Sequence, residues 1–132
     1  MFEVTVEGGF SSGHYLRNYR GKCENPHGHN YKVRVTLHGK ELDEAGLLLG
    51  FKLLKQVMRP VIDRIDHQML NDLEPFTTLN PSAENIAWYI CEKLQEGIKQ
   101  DNPVEVAEVK VWETDVQSAT YRPPGRLIPS ST

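Results

Sequence analysis

The stretch "KCENPHGHNY", residues 22 to 31, places a cysteine four residues before a histidine and a second histidine two residues further on. Cys23, His27 and His29 are all side chains that ligate metals or move protons. In an extended strand residues i and i+2 point the same way, so His27 and His29 can reach one ion together. A third imidazole comes from His14, in "FSSGHYL", if the first two strands pair as a hairpin and share an end there. Three histidines leave one tetrahedral position open, the arrangement of catalytic rather than structural zinc. An isolated His-x-His is usually incidental. The upstream His14, the nearby thiol and the parity of the histidines with the apolar face of their strand raise this one above that level. Cys23 has three readings: a fourth zinc ligand, a quiet buried thiol, or an acid–base group whose pKa a neighbouring cation lowers. Spacing alone leaves all three open.

Other residues could act with them. His67, in "RIDHQMLND", follows Asp66 at the end of a helical segment. It is either a cation placed favourably at a helix C-terminus or a proton-transfer residue. Adjacent positions of a helix do not face each other, so Asp66 does not automatically orient His67. Glu113, in "VKVWET", ends an otherwise buried strand face. A carboxylate there is exposed at the strand tip or holds a polar ligand, and the residues alone favour exposure. Cys91 lies on an apolar helix stripe and reads as core filler. His38 lies on a polar strand face and reads as solvated. No His-Glu-x-x-His helix is present, which argues against a zinc peptidase.

The elements that must position these groups follow from periodicity. "FEVTVE" alternates, with Phe2, Val4 and Val6 on one face, and Gly8-Gly9 suggests a bulge or bend. "HNYKVRVTLHG" alternates more cleanly, with Tyr31, Val33, Val35 and Leu37 together. The histidines share that parity, so the helices are expected to roof them. Phe51 to about Ile65 has helical spacing through Phe51, Leu54, Met58, Val61, Ile62 and Ile65, with Pro60 expected to kink or split it. "NPSAENIAWYICEKLQEGIK" is a second helix, with Asn80 as its cap and Pro81 in its first turn. "VEVAEVKVWET" is a strand with Ala107, Val109, Val111 and Glu113 on one face, and "QSATYR" is its hairpin partner. The order ββααββ gives an α+β fold, a mostly antiparallel four-stranded sheet with two helices on one face. One domain is expected over residues 1–122, followed by a Pro- and Ser-rich tail, 123–132.

Composition bounds the rest. The 132 residues suit one modest core. A net charge of -3 gives no basic surplus for nucleic acid. No apolar run approaches the length of about 20 residues that spans a membrane. Only two cysteines are present, Cys23 and Cys91, which fits a reduced, cytoplasmic protein better than a disulfide scaffold.

The pieces "FSSGHYL", "CENPHGHNY", "DHQMLN", "NPSAENIAWYI" and "VKVWET", in that order and spread over the chain to about Tyr121, resemble the 6-pyruvoyltetrahydropterin synthase family, including its bacterial branch, 6-carboxytetrahydropterin synthase. The resemblance implies the tunnelling fold, in which subunits join their sheets into a barrel, and a homohexamer of two stacked trimers with active sites at subunit interfaces. It implies Zn2+ on His14, His27 and His29, and Cys23, Asp66 and His67 as the proton-transfer group. It implies Glu113 as the anchor of a pterin ring and places Ser82 and Glu84 near that pocket, although a helix-start role explains Ser82 equally well. The implied substrate is 7,8-dihydroneopterin triphosphate. The implied products are 6-carboxy-5,6,7,8-tetrahydropterin, acetaldehyde and triphosphate, a step towards queuosine and related deazapurines. Arg17, Arg20 and Lys22 are the nearby cations for the triphosphate.

Rival readings are a pyruvoyl-type lyase that only eliminates triphosphate, an aldolase-like activity on dihydroneopterin, and a non-catalytic zinc-stabilised binding module. Two features bear on the branch and the fit. The three residues between Cys23 and His27 match the carboxy branch. Gly50 stands where many relatives carry an acid before the first helix, which bears on that helix start and not on the chemistry.

Overall fold

The structure is a computed structural model that describes residues 1–21, 24–98 and 103–125. Cys23 and Lys22 therefore lie outside the described residues, as does the tail from residue 126. Two long strands, β1 (Phe2–His14) and β2 (His27–Gly39), pair antiparallel. α1 (Phe51–Ile65) and α2 (Ala83–Gly97) follow, and β3 (Val104–Thr114) and β4 (Gln117–Tyr121) complete the chain. The sheet order is β1-β2-β3-β4, antiparallel throughout, the ββααββ arrangement expected from the sequence.

Strand alternation sets the core. Val6 and Phe10 of β1 and Tyr31, Val33, Val35 and Leu37 of β2 are buried on one face. Leu54, Met58 and Ile65 of α1 and Ile86, Ala87, Ile90, Cys91 and Leu94 of α2 pack against them. Phe51, expected on the buried stripe of α1, is instead exposed, because it sits at the first position of the helix. Pro60 does not split α1, which continues to Ile65. Gly50 precedes α1 with extended dihedrals and no side-chain cap. α2 is capped by Ser82, whose side chain accepts from the Asn85 N–H, and not by Asn80. No helix among the described residues is long and apolar enough to cross a membrane.

Two features of the sheet differ from the periodic reading. Gly8 and Gly9 form no bulge, and β1 pairs with β2 continuously from Phe2 to His14. Glycine at position 9 instead permits close approach: a Cβ there would stand 2.8 Å from the Tyr31 carbonyl oxygen. The irregularity falls in β3, where Thr36 pairs with Glu108 but Leu37 pairs with Val106. Ala107 is the extra residue, so the buried parity switches across it, from Val104 and Val106 to Val109 and Val111. Ala107 consequently leaves the apolar face assigned to it from the sequence.

His38 is also not solvated. It is buried, on a strand interior to the sheet, with Glu3 and Glu105 as its cross-strand neighbours. A central strand is shielded by the side chains on both sides of it, which a one-strand pattern does not reveal.

The contrast between the adjacent glycines is testable by thermal denaturation. Gly9→Ala should lower stability by about 1–3 kcal/mol, because its Cβ meets backbone. At Gly8 the nearest atom to an added Cβ is the flexible Met58 Cε at 3.7 Å, so Gly8→Ala should leave the melting temperature unchanged or slightly raised. Equal losses at both positions would refute this account.

Candidate metal centre

The β1–β2 register assembles the histidines. His14 is directly opposite His27, and Ser12 is opposite His29. Cross-strand pairing brings the first two together, and the two-residue strand period adds the third on the same face. The ring centroids lie 4.5 Å apart for His14–His27, 5.1 Å for His14–His29 and 4.9 Å for His27–His29. One ring nitrogen from each lies within 4.8 Å of the other two. His14 is fully buried, and His27 and His29 are partly so.

The hydrogen bonds fix which nitrogen is free. His14 Nδ1 lies 2.6 Å from the Pro81 carbonyl oxygen, and His27 Nδ1 lies 2.7 Å from the Asn25 carbonyl oxygen. A carbonyl only accepts, so each Nδ1 carries the proton and each neutral ring presents a bare Nε2. Nε2 of His14 and of His29 is buried with no hydrogen-bond partner. Buried polar atoms are seldom left unpaired, and here two are, one from each of two clustered rings. Burial, above all, pushes the pKa of both His14 and His29 below the ordinary value, only partly opposed by the nearby Glu113 carboxylate. Uncharged imidazoles with exposed lone pairs are the form that binds a metal. The donor set therefore fits a divalent cation such as Zn2+.

Glu113 joins this group, and the exposure expected from the residues alone does not hold. Its carboxylate is 3.9 Å from His14 Nε2 and is about one-quarter exposed. It also lines a cleft of about 220 Å³ with Ala83, Glu84, Gln117, Ser118 and Ala119. A register shift between Trp112 and Thr114 leaves Glu113 as the unpaired residue of β3. Bulges of this kind re-aim side chains beside functional sites.

Tyr31 belongs to the same neighbourhood, although its alternation marks it only as core. Its ring lies 5.4 Å from that of His29 and 5.9 Å from that of His14, and it stacks on Phe10 at 4.6 Å. Its hydroxyl is buried without a partner. Burial first, and the Glu113 charge second, push its pKa up, so the hydroxyl stays protonated. The available signal was its parity with His27 and His29.

Asp66 and His67 stand apart from the histidine cluster. α1 ends at Ile65, and Asp66 is already extended, so the helical objection to their contact does not apply. His67 Nδ1 is 2.9 Å from Asp66 Oδ1, and the same oxygen accepts the Ser11 N–H at 2.9 Å. The hydrogen bond from the Ser11 N–H, first, and the contacts with His67 hold the Asp66 carboxyl below the usual range. His67 adopts a positive φ of 56°, and its side chain is 80% exposed. Along β1, Ser11 and His14 are three residues apart, roughly 10 Å.

Ser82 caps α2, as described above. Arg17 is turned inward, donating from Nη2 to the Phe76 carbonyl at 2.9 Å, whereas Arg20 is exposed.

Comparison with known proteins gives a consistent picture. The sequence profile described as 6-pyruvoyl tetrahydropterin synthase matches residues 3–124. The chain is 33% identical over 128 residues to 6-carboxy-5,6,7,8-tetrahydropterin synthase of Bacillus subtilis (strain 168), covering 92% of this chain and 86% of that protein. It is 43% identical over 108 residues to 6-pyruvoyl tetrahydrobiopterin synthase of Homo sapiens, covering 77% and 71%. Its fold matches the structure of Caenorhabditis elegans 6-pyruvoyl tetrahydropterin synthase with a TM-score of 0.81 and 34% identity, over 94% of this chain and 98% of that one.

The lowered histidine pKa values have a sign that can be checked. The native pKa lies below the unfolded value of 6.5, so the unfolded chain binds more protons between the two. The metal-free protein should therefore lose stability as pH falls below about 6.5, until the native rings also protonate. Thermal melts in chelator from pH 8 to 5 should show this slope, and His14→Gln should flatten it. A slope unaltered by that substitution would contradict the assignment.

Proposed function

Because the chain belongs to the 6-pyruvoyl tetrahydropterin synthase family, we propose that it is a zinc-dependent lyase acting on 7,8-dihydroneopterin triphosphate. With water, it yields 6-carboxy-5,6,7,8-tetrahydropterin, acetaldehyde and triphosphate. The observation that carries this reading is the convergence of three imidazoles whose ring nitrogens lie within 4.8 Å of one another, with the Glu113 carboxylate 3.9 Å from one of them.

In this reading His14, His27 and His29 hold Zn2+. The bound ion would polarise the side-chain oxygens of the substrate as a Lewis acid. Glu113 accepts two parallel N–H bonds from the pterin ring, in the cleft between the start of α2 and the β3–β4 hairpin. That contact fixes the ring so that its side chain extends towards the histidines. Ser82 contributes by starting α2 at the rim of that cleft. Cys23, four residues before His27, takes a proton from the side chain as its thiolate. His67, oriented by Asp66 through Nδ1, moves the other proton from Nε2.

The exposure of His67 supports a shared site, in which this pair serves the centre of a neighbouring subunit. Both β1 and β4 are edge strands, and joining such edges into a closed barrel of two stacked trimers removes unpaired backbone groups.

A second reading has its own support: the human pyruvoyl enzyme is the more identical of the two relatives over the residues it shares with the chain. That reaction eliminates triphosphate and keeps the side-chain carbons. Mass spectrometry of the products from 7,8-dihydroneopterin triphosphate separates the two. The carboxy reaction gives acetaldehyde and 6-carboxytetrahydropterin; a product retaining all side-chain carbons would favour the pyruvoyl reaction.

Cys23→Ala should reduce turnover by about 10²–10⁴-fold, the usual range for a lost acid–base group. Its zinc content, measured by atomic absorption, should stay at the wild-type level. Loss of zinc in that variant would make Cys23 a ligand instead.

A further inference from the structure

We propose that Asn71 and Asn80 are positioning residues of the metal centre, acting on His14 through the backbone that follows it. The inference rests on the metal reading above. β1 ends at His14, and the next residues leave the sheet. The Tyr15 N–H donates to Asn71 Oδ1 at 3.0 Å, and Asn71 Nδ2 donates to the Tyr15 carbonyl at 3.0 Å. The Arg17 N–H donates to Asn80 Oδ1 at 2.8 Å, and Asn80 Nδ2 donates to the Arg17 carbonyl at 2.9 Å. Each amide offers one acceptor and one donor to a single residue, as an opposing strand residue does in a hydrogen-bonded pair. Tyr15 and Arg17 are two apart, the strand period, so the two side chains prolong the ladder past the end of β1.

The main chain of Asn80 is anchored as well, next to the residue that bonds the imidazole. Its carbonyl accepts from Asn85 Nδ2 at 2.9 Å, and the Asn85 N–H donates to Ser82 Oγ at 3.1 Å. Pro81 lies between these two anchored residues, and its carbonyl accepts from His14 Nδ1 at 2.6 Å. Pro81 has no N–H of its own, so its neighbours set its place. A continuous set of bonds thus runs from the first turn of α2 through Asn80, by one branch to Arg17 and by the other to the His14 ring. Asn71 comes from the 3₁₀ turn Leu70–Asp72 and is buried, with its amide committed to Tyr15.

The plainer explanation is that both asparagines merely pin a connection between strands. Pinning a connection would lower stability when lost and leave metal affinity alone. A group that fixes the bond to a ligating histidine changes affinity by about 10–100-fold.

The test titrates metal-free protein with Zn2+ against a chromophoric chelator, well below the melting temperature. Melting temperatures of the metal-free proteins are measured in parallel. Asn80→Ala and Asn71→Ala should weaken Zn2+ binding by about 10–100-fold. Asn80→Asp, which keeps the acceptor for the Arg17 N–H but loses the donor, should fall between Asn80→Ala and wild type. Ile90→Val, a core change in α2, should lower the melting temperature without moving the affinity. If Asn80→Ala does not fold, Asn80→Asp carries the comparison. Unchanged affinity in a folded Asn80 variant would overturn the proposal while the metal reading stands. A wild-type protein that takes up no Zn2+ would overturn the metal reading and, with it, this one.

Discussion

The arrangement of the site depends on one constraint, the unslipped pairing of β1 with β2. Because side chains alternate with period two, a one-residue slip would send the whole set to the opposite face. His14, His27 and His29 share parity with Val6, Phe10, Val33, Val35 and Leu37. Burying those five apolar side chains contributes on the order of 10 kcal/mol, at roughly 1.5–3 kcal/mol each. Taking imidazoles out of water costs something, as the lowered pKa values of His14 and His29 record. That cost is borne in the neutral form and is smaller than the apolar gain of the same register. The core therefore holds three polar rings together that have no reason to associate on their own.

Periodicity made the sheet, both helices and the histidine face legible, because each depends on alternation or helical spacing within a single segment. What it missed depends on contacts between segments. The bulge at Ala107 exists because β3 must match β2 on both sides of an extra residue. His38 is buried by flanking strands. Asn80 looked like a cap from its place before Pro81. The structure gives the cap to Ser82 and uses Asn80 to hold Arg17, a partner 63 residues away. Glu113 was visible as an acid on an apolar strand, but its approach to His14 follows from the β3–β4 irregularity. Tyr31 was hidden by its own regularity, since an aromatic at a core position announces nothing about its hydroxyl.

The electrostatics of the site follow from where burial stops. His14 is enclosed, His29 less so, and Glu113 keeps partial contact with solvent. Burial holds the His14 and His29 imidazoles towards the neutral form, against the opposing pull of the Glu113 charge. The Tyr31 hydroxyl, pushed towards higher pKa, remains a donor in the same space. Neutral acceptors, one donor and one anion at the mouth of a cleft are complementary to a cation and to a ligand rich in N–H groups.

Asp66 and His67 are organised on the opposite logic. A non-glycine residue at positive φ costs about 1–3 kcal/mol, and it persists only where its surroundings over-determine it. Here the His67 N–H donates to the Ser11 carbonyl at 2.6 Å, and Asp66 accepts from the Ser11 N–H. The backbone of His67 is thus locked to β1, its ring is oriented by Asp66, and yet the ring buries almost nothing. Packing within this chain gives no return for that conformational cost. An imidazole so fixed and so exposed at the edge of a sheet is held for solvent and not for the core of its own chain. The histidine cluster is completed from within, by the register of β1 and β2, and this second pair is presented outward.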